Sequence, residues 1–346
     1  MRVLVTGGTG HVGSHTVAAL LDEGHAVRVL ARRPDRVTTA LEPLGRTADD
    51  VEVVQGDVLD GGDALVPAMD GVDAVLHAAS LYSLNQADAQ RMREVNVDGT
   101  RTVLQAAVER GLAPIVHVSS YVALMPCEAP MTSATPTGDP EGPYLETKAE
   151  AERIALALAD EGADVVVTNP GVALGPHDPH LGESTQILRS LLTDPVSVRI
   201  PGVVPVVDVR DVGLAHARIF ALERPDRRYL LGGRELTLTE MRDLAREVTD
   251  RRLPLLPAPA PMLRAAGRLA DAAQRRGVDP GFSSMGLYPL RHGVPVDDDA
   301  DQQALGVRWR PVEETIEDTI TWLYEAGHLS ERHAGEAARV RAAASG

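Results

Sequence analysis

Lysine is almost missing from this sequence. Lys148 is the one lysine among its 34 basic residues, and arginine supplies the rest. Cysteine is as scarce: Cys127 stands alone, which excludes an intrachain disulfide and fits a reducing, cytoplasmic setting. Aromatic residues make up 3% of the chain, so its core has to be built from Val, Leu and Ala. Positive charge is outweighed, with a formal net charge of −16. That balance disfavours nucleic acid and anionic membrane surfaces as partners. No apolar run approaches the roughly 20 residues of a membrane span. No secretory leader fits, because "RVLVTGGTG" reads as a strand from residue 2 and reaches glycine too early.

What is present is a strand–helix rhythm. The chain has 346 residues, 44% of them hydrophobic, enough for one large α/β domain or two modest ones. "RVLVTGGTGHVGSHTVAALLDEGHAVRVLA" reads as strand, glycine turn, helix from about Val12 to Glu23-Gly24, and strand. "VEVVQGDV", "AVLHAAS", "PIVHVSS" and "DVVVTNPG" continue the strands, with helices over Thr100–Arg110 and Leu145–Asp160 between them. Alternation of this kind predicts a doubly wound parallel sheet. After about Gly171 the rhythm changes to a loop, "VALGPHDPHLGES", and then to shorter strands and helices. The expected organisation is a Rossmann domain over 1–170, with 203–232 returning to it. A smaller substrate-binding region spans 171–202 and 233–327. A tail over 328–346 has few apolar anchors, suggesting a frayed or disordered end.

"TGGTGHVG" sets Gly8, Gly10 and Gly13 in the G-x-G-x-x-G spacing, after a strand and opening a helix. Glycines there allow a tight turn, and the helix N-terminus binds a pyrophosphate with its free N–H groups. A NAD-binding unit usually ends its second strand in an acid that takes the ribose 2′-hydroxyl. Here the position reads Ala31-Arg32-Arg33, and an arginine pairs instead with a 2′-phosphate. NADP is therefore expected, with NAD as the alternative. Asp57, in "QGDV", is placed to reach the adenine edge.

Tyr144 lies four residues before Lys148 in "PYLETKAEAER", on one face of a helix. A phenol and an ammonium so placed form a proton-transfer unit, in which the cation favours the phenolate. Ser119 and Ser120 end the fifth strand.

Ser, Tyr and Lys in this order behind an N-terminal TGGxGxxG resemble the extended short-chain dehydrogenase/reductases, the NAD(P)-dependent epimerases, dehydratases and reductases. "GDV" (56–58), "HAAS" (77–80), "NVDGT" (96–100), "VSS" (118–120), "NPG" (169–171) and "VDVRDV" (207–212) resemble that family's blocks. The likeness covers about residues 1–325 and is greatest to its dihydroflavonol-reductase and 3β-hydroxysteroid-dehydrogenase groups. It implies Ser120, Tyr144 and Lys148 as the catalytic set, with Ser119 as the alternative serine. It implies cofactor contacts from Gly7, Gly10, His11, Val12, Gly13, Arg32, Asp57, Val58, Ala78, Ala79, Tyr144, Lys148, Pro170 and Val172. It also implies a small-molecule substrate and leaves a homodimer open, with the helix after Tyr144 contributing.

The leading expectation is an NADP-dependent oxidoreductase acting on a small to medium carbonyl compound. A nucleotide-sugar epimerase or dehydratase is the same-fold alternative. Such dehydratases usually carry an acidic pair beside the catalytic serine, and "SSYVAL" has none. A non-catalytic NADP-binding redox sensor is the alternative of another class. His77 is expected to bond backbone, and Asn96 to support the sheet edge and a relay. His177, Asp178 and His180 lack a clear further metal ligand, and their loop is expected to border the substrate with Tyr82, Asn85 and Met125. Asp297–Asp299 and Asp301 are expected to form a solvated turn.

Overall fold

The computed structural model describes residues 1–61, 65–194, 197–258, 260–274, 276–278 and 284–339. Its strands are β1 Arg2–Thr6, β2 Ala26–Ala31, β3 Glu52–Gln55, β4 Ala74–His77, β5 Ile115–Val118, β6 Val165–Pro170, β7 Val172–Leu174, β8 Ser197–Arg199, β9 Val204–Asp208, β10 Arg228–Leu231, β11 Arg234–Leu236 and β12 Leu255–Pro257. Seven of them form a parallel sheet in the order β10-β6-β5-β4-β1-β2-β3.

β1 shows why its sequence is a continuous apolar run rather than an alternating one. Val3 and Val5 join the core beneath the helices His11–Asp22 and Val209–Ile219. Leu4 points to the opposite core, beneath Gly99–Glu109 and Pro143–Asp160. Both faces of the strand are covered from Val3 to Val5, so that run is apolar without alternation. Full burial of one such side chain contributes about 1.5–3 kcal/mol.

The chain runs from β1 outward to β2 and β3, then crosses back to β4 on the other side of β1. This reversal opens a crevice at the carboxyl ends of β1 and β4, where Thr6 lies opposite His77. β7, β9 and β11 make a second, smaller sheet. It packs with the helices Glu183–Thr193, Leu238–Thr249 and Val312–Glu325 around a separate core that includes Leu188, Met241, Ile316 and Leu323. Among the described residues, no helix is long and apolar enough to cross a membrane.

Two expectations differ from the structure. The acidic run is solvated only in part: Asp297 and Asp299 are exposed, whereas Asp298 and Asp301 are buried. The Asp298 carboxylate accepts from the N–H groups of Gly232 and Gly233 at 2.7 and 3.0 Å and from Trp309 Nε1 at 2.8 Å. It thereby clasps the turn between β10 and β11, and donors brought from distant segments offset its desolvation. The tail also holds structure to residue 339. Glu331–Ala334 is helical, and Leu329 and Ala337 join the smaller core with Ala334 and Ala338 also buried. Residues 340–346 of that tail lie outside the described residues.

Candidate active site

The crevice is lined first by the glycine turn. Gly7 has φ +75°, and a Cβ there would meet the Ala78 carbonyl carbon at 2.5 Å. A Cβ on Gly13 would lie 2.1 Å from the Gly7 carbonyl oxygen. Only glycine permits this left-handed turn and this approach of the β4 end to the β1 end. The helix His11–Asp22 then starts at Gly10 without a side-chain cap and without an acid in its first turn. Its leading N–H groups are left for an anion at the positive end of the helix dipole. Ala78 and Ala79 are held across the crevice, their N–H groups donating to the carbonyl and the hydroxyl of Thr6.

Arg32, at the end of β2, is exposed, and its side chain makes no hydrogen bond or ion pair among the described residues. Its neighbour Arg33 is tied to Asp35 at 2.8 Å. Asp57 follows β3 as part of a turn, accepting from the Leu59 N–H at 3.2 Å. Val58 is buried under Gly99.

The helix Pro143–Asp160 carries Tyr144 and Lys148 on one face, as their spacing predicts, and both meet the end of β5. The Tyr144 side chain meets Ser120, whose hydroxyl is placed to hydrogen-bond the phenol. Lys148 is 3% exposed, and its Nζ donates to the Val118 carbonyl at 2.8 Å. Burial pushes the Lys148 pKa down to about 8, with the Glu152 carboxylate acting against it. Burial also raises the Tyr144 hydroxyl above its ordinary range, and the bond to Ser120 acts the other way. The expectation that the ammonium would lower this phenol is therefore corrected: removal from water dominates, and it disfavours the charged form of each group.

Ser119 has a different partner from Ser120. It donates to Glu152 Oε2 at 2.6 Å, and Asn169 Nδ2 reaches the same oxygen at 2.6 Å. Arg228 and Thr137 bond Glu152 Oε1 at 2.5 and 2.9 Å. Glu152 is fully buried, and sequence reasoning missed it. The signal was present, since Tyr144, Lys148 and Glu152 repeat at i, i+4 and i+8. The stack of Tyr82 on Tyr144, with centroids 4.1 Å apart, left no such signal.

The histidines are structural in several ways. His77 bonds two side chains, Thr6 Oγ1 at 2.7 Å and Thr100 Oγ1 at 3.0 Å, rather than backbone. Thr100 spends its hydroxyl proton on the Asn96 carbonyl, so His77 Nε2 donates and Nδ1 accepts from Thr6. Asn96 links Leu81, Ser80 and Thr147. His11 and His15 both direct Nε2 at the Pro176 carbonyl, at 3.3 and 3.0 Å. They tie the first helix to the loop that enters the smaller region. Asp178 in that loop accepts from Gly182 N and Thr185 Oγ1 at 2.8 and 2.6 Å, while His180 is exposed. Met125 is fully buried, and Asn85 accepts from the Ala87 N–H to start a short turn. Pro170 and Val172 follow one another from β6 into β7, beside the cluster that holds Tyr144.

A doubly wound sheet with a glycine turn at its switch point defines a dinucleotide-dependent α/β enzyme. The chain belongs to the NAD dependent epimerase/dehydratase family, whose model matches residues 3–232. It is 30% identical to "Sterol demethylase protein B" of Methylococcus capsulatus, over 95% of this chain and all of that protein. It is 29% identical to a "Putative dihydroflavonol 4-reductase" of Synechocystis, over 94% of this chain and 95% of that one. Among solved structures, that of gox2253 superposes with a TM-score of 0.79 at 26% identity, covering 95% of this chain and 99% of the other. The protein is an NAD(P)-dependent enzyme of the extended short-chain dehydrogenase/reductase type.

Proposed function

We propose that the protein is an NADPH-dependent reductase of small to medium, neutral carbonyl compounds, with Tyr144 as the general acid. The observation that carries this reading is the placement of the Tyr144 hydroxyl against Ser120, with the Lys148 ammonium one helical turn further on. The crevice residues fit a dinucleotide, because the turn at Gly7 and Gly13 and the uncapped helix start leave backbone N–H groups for a diphosphate. Gly7, Gly10, His11, Val12 and Gly13 would hold it. Asp57 and Val58 would border the adenine, with Ala78, Ala79, Pro170 and Val172 along the remainder and Lys148 at the nicotinamide ribose. Arg32, exposed and unpaired among the described residues while Arg33 is engaged with Asp35, supports a 2′-phosphate and hence NADPH. A reduced nicotinamide supplies a hydride when bound. Residues 1–170 with 203–232 would serve the cofactor, and 171–202 with 233–327 the substrate.

The protein's own part is proton supply and charge stabilisation. As the substrate carbon is reduced, its oxygen becomes negative. The Tyr144 hydroxyl, kept protonated by burial, donates its proton to that oxygen. Ser120 donates a hydrogen bond to the same oxygen and stabilises the charge while it develops. Lys148 keeps a positive charge beside the pair. Tyr144 packs against an apolar cluster with Leu84, Val172, Met285 and Val294, which suits a neutral substrate.

NADPH deuterated at C4 tests the reaction class. Carbonyl compounds such as flavanonols, steroid ketones and small aldehydes are screened with it. The expected outcome is loss of nicotinamide absorbance and one deuterium in each product molecule. Product formed from a nucleotide sugar, with no net consumption of cofactor, would replace the reductase reading with that of an epimerase or dehydratase.

A further inference from the structure

The chain is poor in aromatic residues, yet four of its six tyrosines meet at one place. Tyr121, Tyr144 and Tyr288 belong to one apolar cluster, and Tyr82 lies on Tyr144 with an angle of 23° between the rings. Tyr82 is 39% exposed, and among the described residues it is the one large aromatic side chain left this open. Packing alone gives no reason to leave it so. Full burial of an aromatic ring is worth more than its exposure, and a chain with few such rings has the most to gain from burying them.

The backbone on either side of the ring is also held in place. On one side the Leu81 N–H donates to Asn96 Oδ1 at 2.7 Å, and Asn96 Nδ2 donates to the Leu81 carbonyl at 3.0 Å. On the other side the Leu84 N–H donates to Glu183 Oε1 at 3.1 Å. Asn96 also donates to Thr147 Oγ1 at 3.0 Å, and Thr147 donates to the Tyr144 carbonyl at 2.7 Å. One network therefore orients both tyrosines. Removal of the Tyr82 hydroxyl from water raises it well above its ordinary range, with Tyr144, Tyr121 and the Glu183 carboxylate acting in the same direction.

We propose that Tyr82 is a substrate-binding residue: the exposed part of its ring, left beside its stack on Tyr144, contacts the aromatic part of a flat, conjugated carbonyl compound as the compound's oxygen meets Tyr144. The proposal rests on the reading of Tyr144 as the group that meets the substrate. Aromatic pairs, edge-to-face or offset, add about 2–13-fold in affinity beyond the area they bury. Tyr82 would then set selectivity between flat and saturated substrates, independently of how fast Tyr144 works.

The test compares benzylideneacetone, flat and conjugated, with 4-cyclohexylbutan-2-one, its saturated counterpart. The ratio of their kcat/KM values with NADPH is measured for the wild type, Tyr82→Phe and Tyr82→Leu. The ratio of their dissociation constants for the NADP⁺-loaded protein is measured by titration calorimetry. Tyr82→Phe should retain the wild-type ratios, and Tyr82→Leu should lower them about 2–13-fold. Any loss of Tyr144 alignment in the leucine variant affects both ketones and cancels in each ratio. Ratios equal in the wild type and the leucine variant, or no preference for the flat ketone in binding, overturn the proposal. If neither ketone turns over but the binding preference is present and falls in Tyr82→Leu, the aromatic contact stands and the reductase reading fails.

Discussion

Replacing Lys148 with Met should stabilise the protein below pH 8 and cease to do so above pH 10.5. The lysine is 3% exposed, and of its three donors one is satisfied by the Val118 carbonyl. Burial lowers its pKa from 10.5 to about 8, with Glu152 acting in the opposite direction. Between these values the unfolded chain binds a proton that the folded chain has lost. Stability therefore rises with pH across that window, and the penalty for the buried charge is present in full below it. At about 1.4 kcal/mol per pH unit the penalty is about 3 kcal/mol. Methionine is of similar length and carries no charge, so the variant lacks this slope. Its lost bond to Val118 shifts the difference by about 1 kcal/mol at every pH and leaves the slope unchanged. Urea unfolding of both proteins without cofactor, at intervals from pH 7 to 10.5, measures the difference in stability. It should change by about 3 kcal/mol in favour of the wild type as pH rises. Titrations common to both proteins cancel. A difference that stays flat from pH 7 to 10.5 would refute the account of Lys148 as a charge held against its solvation.

Three further outcomes follow from the same geometry. Tyr144→Phe should lower turnover by about 10²–10⁴-fold, with NADPH affinity by calorimetry nearly unchanged; a variant with more than a tenth of wild-type turnover, where chemistry limits the rate, removes Tyr144 from its role. Arg32→Ala should reduce the preference for NADPH over NADH by roughly 10–150-fold, the worth of one charge-assisted contact; equal affinities for the two cofactors in the wild type would mean that Arg32 is merely solvated. Glu152→Gln should destabilise the fold by about 3–5 kcal/mol in urea, because Arg228 keeps its charge in a buried site without its partner; a loss below 1 kcal/mol would show that the pair holds nothing together.

The parts of the site legible in the sequence are those set by local geometry. The glycine spacing is legible because a strand, a tight turn and a helix start lie within a dozen residues. Tyr144 and Lys148 are legible because four residues bring two side chains to the same face of a helix. Their electrostatics were not legible. Whether an ammonium lowers a neighbouring phenol depends on how much water both have lost, and both sit where burial outweighs the neighbour.

By itself, the sequence determined the doubly wound sheet, the position of the glycine turn and the helix that carries Tyr144 and Lys148. Apolar runs and periodic helices are short-range patterns, and their alternation leaves few topologies open. The tertiary structure alone decided which partners distant residues would find. It tied Ser119 to Glu152 and left Ser120 to Tyr144, although the two serines are neighbours in the chain. It buried Asp298 and Asp301 from a run that reads as solvated. It laid Tyr82 on Tyr144 across sixty-two positions of sequence. Side-chain partners of this kind are selected by desolvation and by donors that fold in from elsewhere, and neither is written in the local pattern.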